Sequence, residues 1–431
     1  MPLYIGLMSG TSMDGIDAGL IEISDEKSLK ELGGISISYD LDFKKLLKSA
    51  ELAVRENNGD VNKAKLEYTF FIKQYLSSIE SAKDFDRVSN FTFDEVVEQS
   101  TKLHRTAVNK LLSQFSLKPG DIAAIGYHGQ TLFHKPSNKI TIQIGNGQLL
   151  ADLTNITVIN DFRSEDVENG GQGAPLAPLY HKALAIRDKK YPIAIVNCGG
   201  IANITFITGT TDNDVIGFDT GPGNGLIDKL VKLKTHHQED MDENGKYGTK
   251  GTVKPEILKL LFENSVLRDG QNYFNIKPPK SLDIGDLILI EQLTTNISLS
   301  DACATLSAFT AECICKSVDY LPDRNLCPKT WVLAGGGWNN PVIFKELRAR
   351  LKKVQPDIEA VLADDIGWSS QYMEAYIFAY LAYRKLNFLP TSLPKVTGVN
   401  HFIYGGIVYE PSVSITAKEK QTSFSPKNIN I

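Results

Sequence analysis

Asp161, Arg163, Glu165, Asp166 and Glu168 crowd into one short stretch, with Gly170, Gly171, Gln172, Gly173, Ala174 and Pro175 directly behind them. Few structural tasks need an arginine, several carboxylates and three glycines together. A strand end that releases charged side chains into a glycine-floored pocket does need them, because glycine lets backbone come close to a ligand. A carboxylate beside an arginine stays ionised and can act as a base. The apolar run Ile156 to Ile159 supplies the strand. Proton transfer is therefore expected here. Strand alternation would put Asp161 and Arg163 on one side, whereas Asp166 lies past the point where that rule applies. The residues alone leave Asp161, Glu165 and Asp166 as rival bases.

Three further turns combine glycine with oxygen ligands. Ser9-Gly10-Thr11-Ser12-Met13-Asp14-Gly15-Ile16-Asp17 offers backbone N–H groups and hydroxyls that can cradle phosphate, and carboxylates that can hold Mg²⁺. The plainer alternative is a hairpin turn whose Gly, Ser and Asp only satisfy turn geometry. Phe218-Asp219-Thr220-Gly221-Pro222-Gly223-Asn224 repeats the logic later in the chain. Leu333-Ala334-Gly335-Gly336-Gly337-Trp338-Asn339 follows an apolar run and leads toward a helix, which suits a flat ligand such as a nucleoside. No lysine follows these glycines at Walker A spacing, and no G-x-G-x-x-G follows the first strand, so neither a P-loop nor a Rossmann dinucleotide site is expected.

Among the histidines, His128 in His128-Gly129-Gln130-Thr131 is expected to touch ligand from a polar loop at a strand end. His104 lies near the apolar face of a helix and reads as packed or surface, and His236-His237 as solvated. Asp240-Met241-Asp242-Glu243-Asn244-Gly245 starts like a calcium loop but has Gly251 where the bidentate Glu belongs, so a surface turn is expected. Cys198, Cys303, Cys313, Cys315 and Cys327 are odd in number and scattered, as reduced cytoplasmic thiols would be. Cys313-Ile314-Cys315 lacks the second pair that a zinc site requires.

The elements that must position these residues are legible too. Leu3 to Leu7 and Ile16 to Ile23 read as strands around the first turn, with a helix after them. From Phe93, Val96, Val97, Leu103, Ala107, Val108, Leu111, Leu112 and Phe115 share a helical face. Asp121 to Thr131 reads as a short buried strand that ends in a polar loop. Tyr191 to Gly200 and Ile201 to Ile207 repeat the opening pattern of strand, glycine turn and strand, which points to an internal duplication of an α/β unit. Two such units facing each other would form a cleft. The tail beyond Leu389 is rich in Pro, Thr and Ser, and its last dozen residues read as loosely ordered.

With 431 residues the chain has room for two domains, and 42% hydrophobic with 23% charged residues is ordinary for a globular enzyme. A net charge of -5 without a basic stripe argues against nucleic acid. No apolar run reaches membrane-span length, and no signal peptide precedes Tyr4, so a cytoplasmic protein is expected.

Taken together, Met8 to Asp17, His128 to Thr131, Asp161 to Pro175, Asn197-Cys198-Gly199-Gly200-Ile201-Ala202-Asn203, Asp219 to Asn224 and Gly335 to Asn339 resemble anhydro-N-acetylmuramic acid kinases, in the same order and over about residues 3 to 409. The resemblance implies a fold of the actin-like ATPase, sugar kinase and Hsp70 superfamily: α/β, two related actin-like (ribonuclease H-like) domains with a central nucleotide/sugar cleft. Domain I would take residues 1–133 plus about 380–431, and domain II residues 134–379. The implied reaction spends ATP, with Mg²⁺, to open the 1,6-anhydro ring of 1,6-anhydro-N-acetylmuramic acid with water and phosphorylate O6 during cell-wall recycling.

Carried over residue by residue, Asp166 would be the general base. Gly10, Thr11, Ser12, Met13, Asp14, Gly15 and Asp17 would hold phosphates, with Asp14 and Asp219 on the metal. Asn197, Gly199, Gly200, Gly221, Gly223 and Asn224 would flank the phosphates from the other side, and Gly335, Gly336, Gly337 and Asn339 would lie near the adenosine. His128, Gln130, Arg163, Gln172 and Glu374 would line the sugar pocket. A homodimer is implied by the family only. Two departures stand out: Cys198 where many relatives carry Ile, and Leu282-Asp283-Ile284-Gly285-Asp286 where relatives continue Thr-Gly-Arg-Glu after Pro278-Pro279-Lys280-Ser281. Levoglucosan kinases share most of these motifs but can place Arg before the glutamine, where this chain has Gly171-Gln172. An actin-like ATPase without sugar chemistry is the rival of another class, and it would need no Asp161-Arg163-Asp166 cluster.

Overall fold

The computed structural model describes residues 1–10, 12–79, 90–267, 270–282, 284–286 and 288–412. Thr11 and the last dozen residues of the tail lie outside them. Two sheets organise the chain. The first holds β1 (Leu3–Ser9), β2 (Gly15–Ile23), β3 (Leu29–Ser38), β4 (Ile122–Lys135), β5 (Ile140–Ile144) and β6 (Val158–Asn160). The second holds β7 (Ile193–Cys198), β8 (Ile201–Ile207), β9 (Val215–Pro222), β10 (Thr330–Ala334) and β11 (Glu359–Leu362), while β12 (Ile407–Tyr409) returns to the first.

Strand order proves the duplication. The first sheet runs β12-β6-β4-β1-β2-β3 and the second β11-β10-β7-β8-β9. In both, the opening strand pairs antiparallel with the second and the second with the third. In both, two later strands continue parallel on the other side of the opening strand: β4 and then β6 beside β1, and β10 and then β11 beside β7. Where strand order reverses, between β1 and β4 and between β7 and β10, the C-terminal strand ends open a crevice in which α/β proteins place ligands. Gly10, Asp161, Gly199 and Gly335 all follow such ends.

The strands are apolar almost throughout because each sheet is covered on both faces. Leu7 and Ile5 of β1 face a core with the helices Leu41–Glu56, Val61–Ile79 and Phe93–Gln114. Ala194 and Val196 of β7 face a second core with Gly225–Lys234, Leu299–Lys316 and Pro341–Val354. Alternate residues, Tyr4 from β1 with Ile193 and Ile195 from β7, meet in a third core between the sheets with the helices Pro178–Arg187 and Met373–Leu386. Gly6 and Gly126 let the last of these helices lie against the first sheet: a Cβ there would stand 1.7 Å from the Ala375 carbonyl and 1.9 Å from that of Phe378. The junction also buries charge. Lys182 reaches Glu26 at 3.0 Å and Asp212 at 2.5 Å, and Arg384, 1% exposed, reaches Asp212 at 2.8 Å.

Several expectations change. A third strand, β3, stands before the first helix, pairing its full length with β2. β4 does not give way to a loop at His128 but continues through Gln130 to Lys135, because its outer half finds a partner in β5. The strand before the acidic stretch ends at Asn160; Asp161 turns to φ 57° and Ser164–Glu168 forms a short helix, so strand alternation does not order Asp161 and Arg163. The first sheet takes in β5, β6 and β12, and Met373–Leu386 packs on β1, β2 and β4, so it reaches past residue 133 and before residue 380.

Candidate active site

Gly129 lies inside β4 at φ 76°, in the left-handed region where a side chain is strained, and the register between β1 and β4 slips beside it. The slip brings the two strands' polar groups together: Ser9 donates to the Gly129 carbonyl at 2.9 Å, and Gln130 Nε2 donates to the Gly10 carbonyl at 3.0 Å. His128, one residue earlier, is 5% exposed and packs its ring on Phe378 at 4.6 Å. Arg163 donates to His128 Nε2 through Nε at 3.2 Å and through a terminal nitrogen at 3.1 Å, and to the Gly173 carbonyl at 2.6 Å. Since Nε2 accepts, the imidazole is neutral with its proton on Nδ1. Burial and the guanidinium both hold its pKa well below the usual range. Nδ1 itself is buried without a hydrogen-bond partner.

Asp166 sits in the first turn of Ser164–Glu168 and is fully buried. Its Oδ1 accepts from the Gly173 N–H at 2.6 Å and its Oδ2 from the Thr397 hydroxyl at 2.5 Å. Glu374, in the first turn of Met373–Leu386, has open access to water, yet the protein around it raises its pKa through desolvation, against the pull of Arg163. Both hold for a carboxylate on a cleft wall. Burial lowers the Arg163 pKa to about 10, opposed by Glu374 and Asp166.

The chain of contacts continues into the second half. Gln172 donates its backbone N–H to the Thr397 carbonyl at 2.6 Å, and its side-chain oxygen accepts from Ser281 at 2.8 Å. The next residue, Leu282, donates its N–H to Asp219 Oδ2 at 2.8 Å. Asp219 keeps a partial opening to solvent, but the surrounding protein desolvates it enough to push its pKa up to about 7. A linked series of residues thus runs from Gly10 through Gln130, His128, Arg163, Asp166 and Gln172 to Asp219.

Beside it, the second half's turns gather at the ends of β7, β9 and β10. Gly223 and Gly225 donate to the Gly200 carbonyl at 2.9 and 3.1 Å, and Asn224 to that of Gly199 at 2.8 Å. Gly221, in β9, is buried against Cys313. Gly335 lies against Asn197, where a Cβ would come within 2.5 Å of its side-chain oxygen. Gly336 faces open space, Gly337 is buried against Cys198, and Asn339 is exposed.

The first turn is more divided. Gly10 and Gly15 are half-buried and Ser12 is exposed, but Met13 is 1% exposed in the first core and its N–H is bonded to the Gly10 carbonyl. Met13 therefore anchors the turn, with neither side chain nor N–H free for phosphate. Ser9 is likewise engaged inside. Asp17 accepts from Ser36 at 2.5 Å and borders Glu374 electrostatically. Asp14, 76% exposed, pairs with Lys44 at 3.3 Å. Among the described residues no three His, Cys, Asp or Glu form a metal cage. Mg²⁺ beside a nucleotide takes only one or two carboxylates, with phosphate and water completing the shell. Asp219 fits that demand, being a desolvated acid with a single hydrogen-bond donor on it. Asp14, exposed and paired with Lys44 only at the surface, is held less firmly for that role.

Asp161 accepts from the Ser164 N–H at 3.2 Å and borders a cavity of about 20 Å³ shared with His128 and Asn160, room for a single water. Thr397 was missed by sequence reasoning. Thr397 carries no local signal, since it reaches Asp166 across 231 residues. Other candidates fall away: His104 is fully buried and bonded to the Ser100 carbonyl, and His236 and His237 are exposed. Asp242 caps the N–H groups of Tyr247 and Gly248, and all five cysteines are free and buried.

Comparison with known proteins bears on this arrangement. The sequence profile of the AnmK family, described as anhydro-N-acetylmuramic acid kinase, matches residues 69–411. An anhydro-N-acetylmuramic acid kinase of Zymomonas mobilis subsp. mobilis is 39% identical over 94% of this chain and 99% of its own length. One from Methylorubrum populi is 37% identical over 95% of this chain and 100% of its own. Among solved structures, the ROK hexokinase of Thermus thermophilus superposes with a TM-score of 0.41 at 11% identity, covering 89% of this chain and 99% of that one.

Proposed function

The chain belongs to the anhydro-N-acetylmuramic acid kinase family, and on that footing we propose how its residues open and phosphorylate an anhydro sugar. The reaction takes 1,6-anhydro-N-acetylmuramic acid, water and ATP to N-acetylmuramic acid 6-phosphate and ADP, a step of cell-wall recycling. The single observation that carries the assignment of roles is the linked series from Gly10 to Asp219, which joins the strand-end turns of both sheets through one cluster of base, cation and amide.

Asp166 serves as the base toward water attacking the anomeric carbon. Each of its oxygens accepts one hydrogen bond and keeps a second lone pair for the water. The Thr397 hydroxyl can also turn aside to admit it, because the Leu393 carbonyl stands 3.4 Å away as a second acceptor. As the C1–O6 bond breaks, the freed O6 attacks the γ-phosphate, so that ring opening and phosphoryl transfer share one approach. Phosphoryl transfer needs positioning and charge neutralisation more than covalent assistance. Arg163, held by His128 and Gly173, offers its positive face to sugar hydroxyls or the lactyl carboxylate, opposite Glu374. His128, with its proton on the unpartnered Nδ1, donates to a sugar oxygen. Gly10, Ser12 and Gly15 from one side, and Gly199, Gly200, Gly223 and Asn224 from the other, hold phosphates; Gly335 to Asn339 border the adenosine. Asp219 would hold Mg²⁺, which would supply neutralisation of the phosphate charge.

Mass analysis of products from a panel of anhydro sugars with ATP in H₂¹⁸O tests the reading. Phosphorylated muramic acid labelled at the anomeric oxygen is expected, with levoglucosan a poor substrate. ATP hydrolysis indifferent to any sugar would overturn it in favour of an ATPase, and preferential turnover of levoglucosan would reassign the substrate.

A further inference from the structure

A cavity of about 590 Å³ lies away from the linked series, on the other face of β9. Phe218 and Thr220 line it, whereas Asp219 between them turns the opposite way, as strand alternation requires. The volume falls in the range of small-molecule sites. What distinguishes the cavity is its charge. Lys280 is 6% exposed and lines it, donating to the Tyr273 carbonyl and to the Tyr320 hydroxyl, both at 3.2 Å. A lysine ammonium carries three protons, so one remains for the cavity. Tyr273 and Tyr320 place their rings 4.2 and 4.7 Å from the ammonium, but among the described residues no carboxylate pairs with it. Burial lowers its pKa to about 8. Lys259 and Lys316 stand on the same wall, exposed. Of the two acids there, Glu263 pairs with Lys259 of the same wall at 3.6 Å, leaving Lys280 and Lys316 as its unpaired cations among the described residues, and Asp319 pairs with Arg324 at 2.5 Å.

We infer that this cavity is a second binding site, for a small organic anion whose carboxylate or phosphate meets Lys280 and whose apolar body lies on Phe262, Phe274 and Tyr320. A buried cation with no counter-charge is costly unless something supplies one. The wall that would feel the ligand also braces the metal-binding acid: Asp219 donates its N–H to the Lys280 carbonyl at 3.1 Å, and Tyr273 donates its hydroxyl to the Asp219 carbonyl.

The test uses 1-anilinonaphthalene-8-sulfonate and its uncharged analogue N-phenyl-1-naphthylamine as fluorescent probes of the full chain. Saturable one-site binding of the sulfonate is expected, undiminished by saturating Mg·ATP. Lys280→Met should weaken it about tenfold or more, the loss of a charge-assisted contact, while Lys280→Arg retains it. The exposed Lys316→Glu should weaken it too, and carries the test if Lys280→Met fails to fold. Binding of the uncharged analogue should not change in either variant. Displacement of the sulfonate by Mg·ATP, equal affinity in the wild type and Lys316→Glu, or no saturable binding would overturn the inference.

Discussion

Replacing Asp166 by Asn is the perturbation that tests the mechanism most directly. The substitution is nearly isosteric in a fully buried position, so no cavity forms. The amide oxygen can keep the Gly173 N–H, and the amide nitrogen can donate to the Thr397 hydroxyl, which turns its own proton to the Leu393 carbonyl. Two charge-assisted hydrogen bonds become neutral ones, which should cost about 1–3 kcal/mol of stability. An amide cannot take a proton from water, however, and general-base assistance contributes ~10²–10⁴ in rate, about 3–5 kcal/mol of barrier. Single-turnover kinetics should therefore show that loss, with sugar and Mg·ATP binding kept within about threefold, since neither hydrogen-bond geometry nor shape is lost. Asp161→Asn and Glu165→Gln belong in the same experiment. Asp161 borders the water-sized cavity beside His128, whereas Glu165 is exposed. If Asp166→Asn turns over at nearly the wild-type rate while Asp161→Asn does not, Asp161 is the base and the role given to Asp166 is refuted.

Asp219, with its pKa raised to about 7, binds more protons in the folded than in the unfolded chain between its ordinary value of 3.8 and 7. Its contribution to stability is thus greatest below 3.8 and is lost as pH rises through 7. Thermal melts without nucleotide should show the wild type losing stability relative to Asp219→Asn across that window. Calorimetry near pH 6.5 in buffers of differing ionisation heat should show protons released on Mg·ATP binding, beyond those of Asp219→Asn; equal release would remove Asp219 from the metal site. At the junction between the sheets, Arg384→Met leaves Asp212 and Glu26 to Lys182 alone. Breaking a buried pair costs about 3–5 kcal/mol, so a large fall in Tm is expected, and an unchanged Tm would show that the cluster holds nothing together. His104 and His181, buried with pKa values lowered to about 4 and about 3, contribute stability that is complete above 6.5 and lost as pH falls below it. Acid titration of Tm should be shallower in His104→Gln, and an unchanged profile would count against a neutral buried imidazole.

What the sequence determined by itself was local: the opening strands, the helix from Phe93 and the glycine turns each announce themselves through neighbours a few residues apart. The duplication was legible for the same reason, since a strand, glycine turn and strand at Tyr4 and again at Tyr191 need no distant partner to be seen. Composition likewise set Asp161 to Pro175 apart as the chemical stretch. Long-range approach was decided only by tertiary structure. Polar residues at His128 and Gln130 read as a loop until β5 pairs beyond them and makes them strand. Met13 and Asp14 look alike as turn ligands, yet the packing of β1 and β2 over the first core buries one, and Lys44 from the following helix neutralises the other. The stretch beyond Leu389 reads only as rich in Pro, Thr and Ser, yet its Thr397 closes on Asp166, and β12 pairs with β6. The tautomer of His128 follows from the fork of Arg163, one crossover of the same sheet away. Spacing along a chain reports which groups share a turn or a face, whereas which of those groups are already satisfied depends on partners that only the folded sheets bring within a hydrogen bond's length.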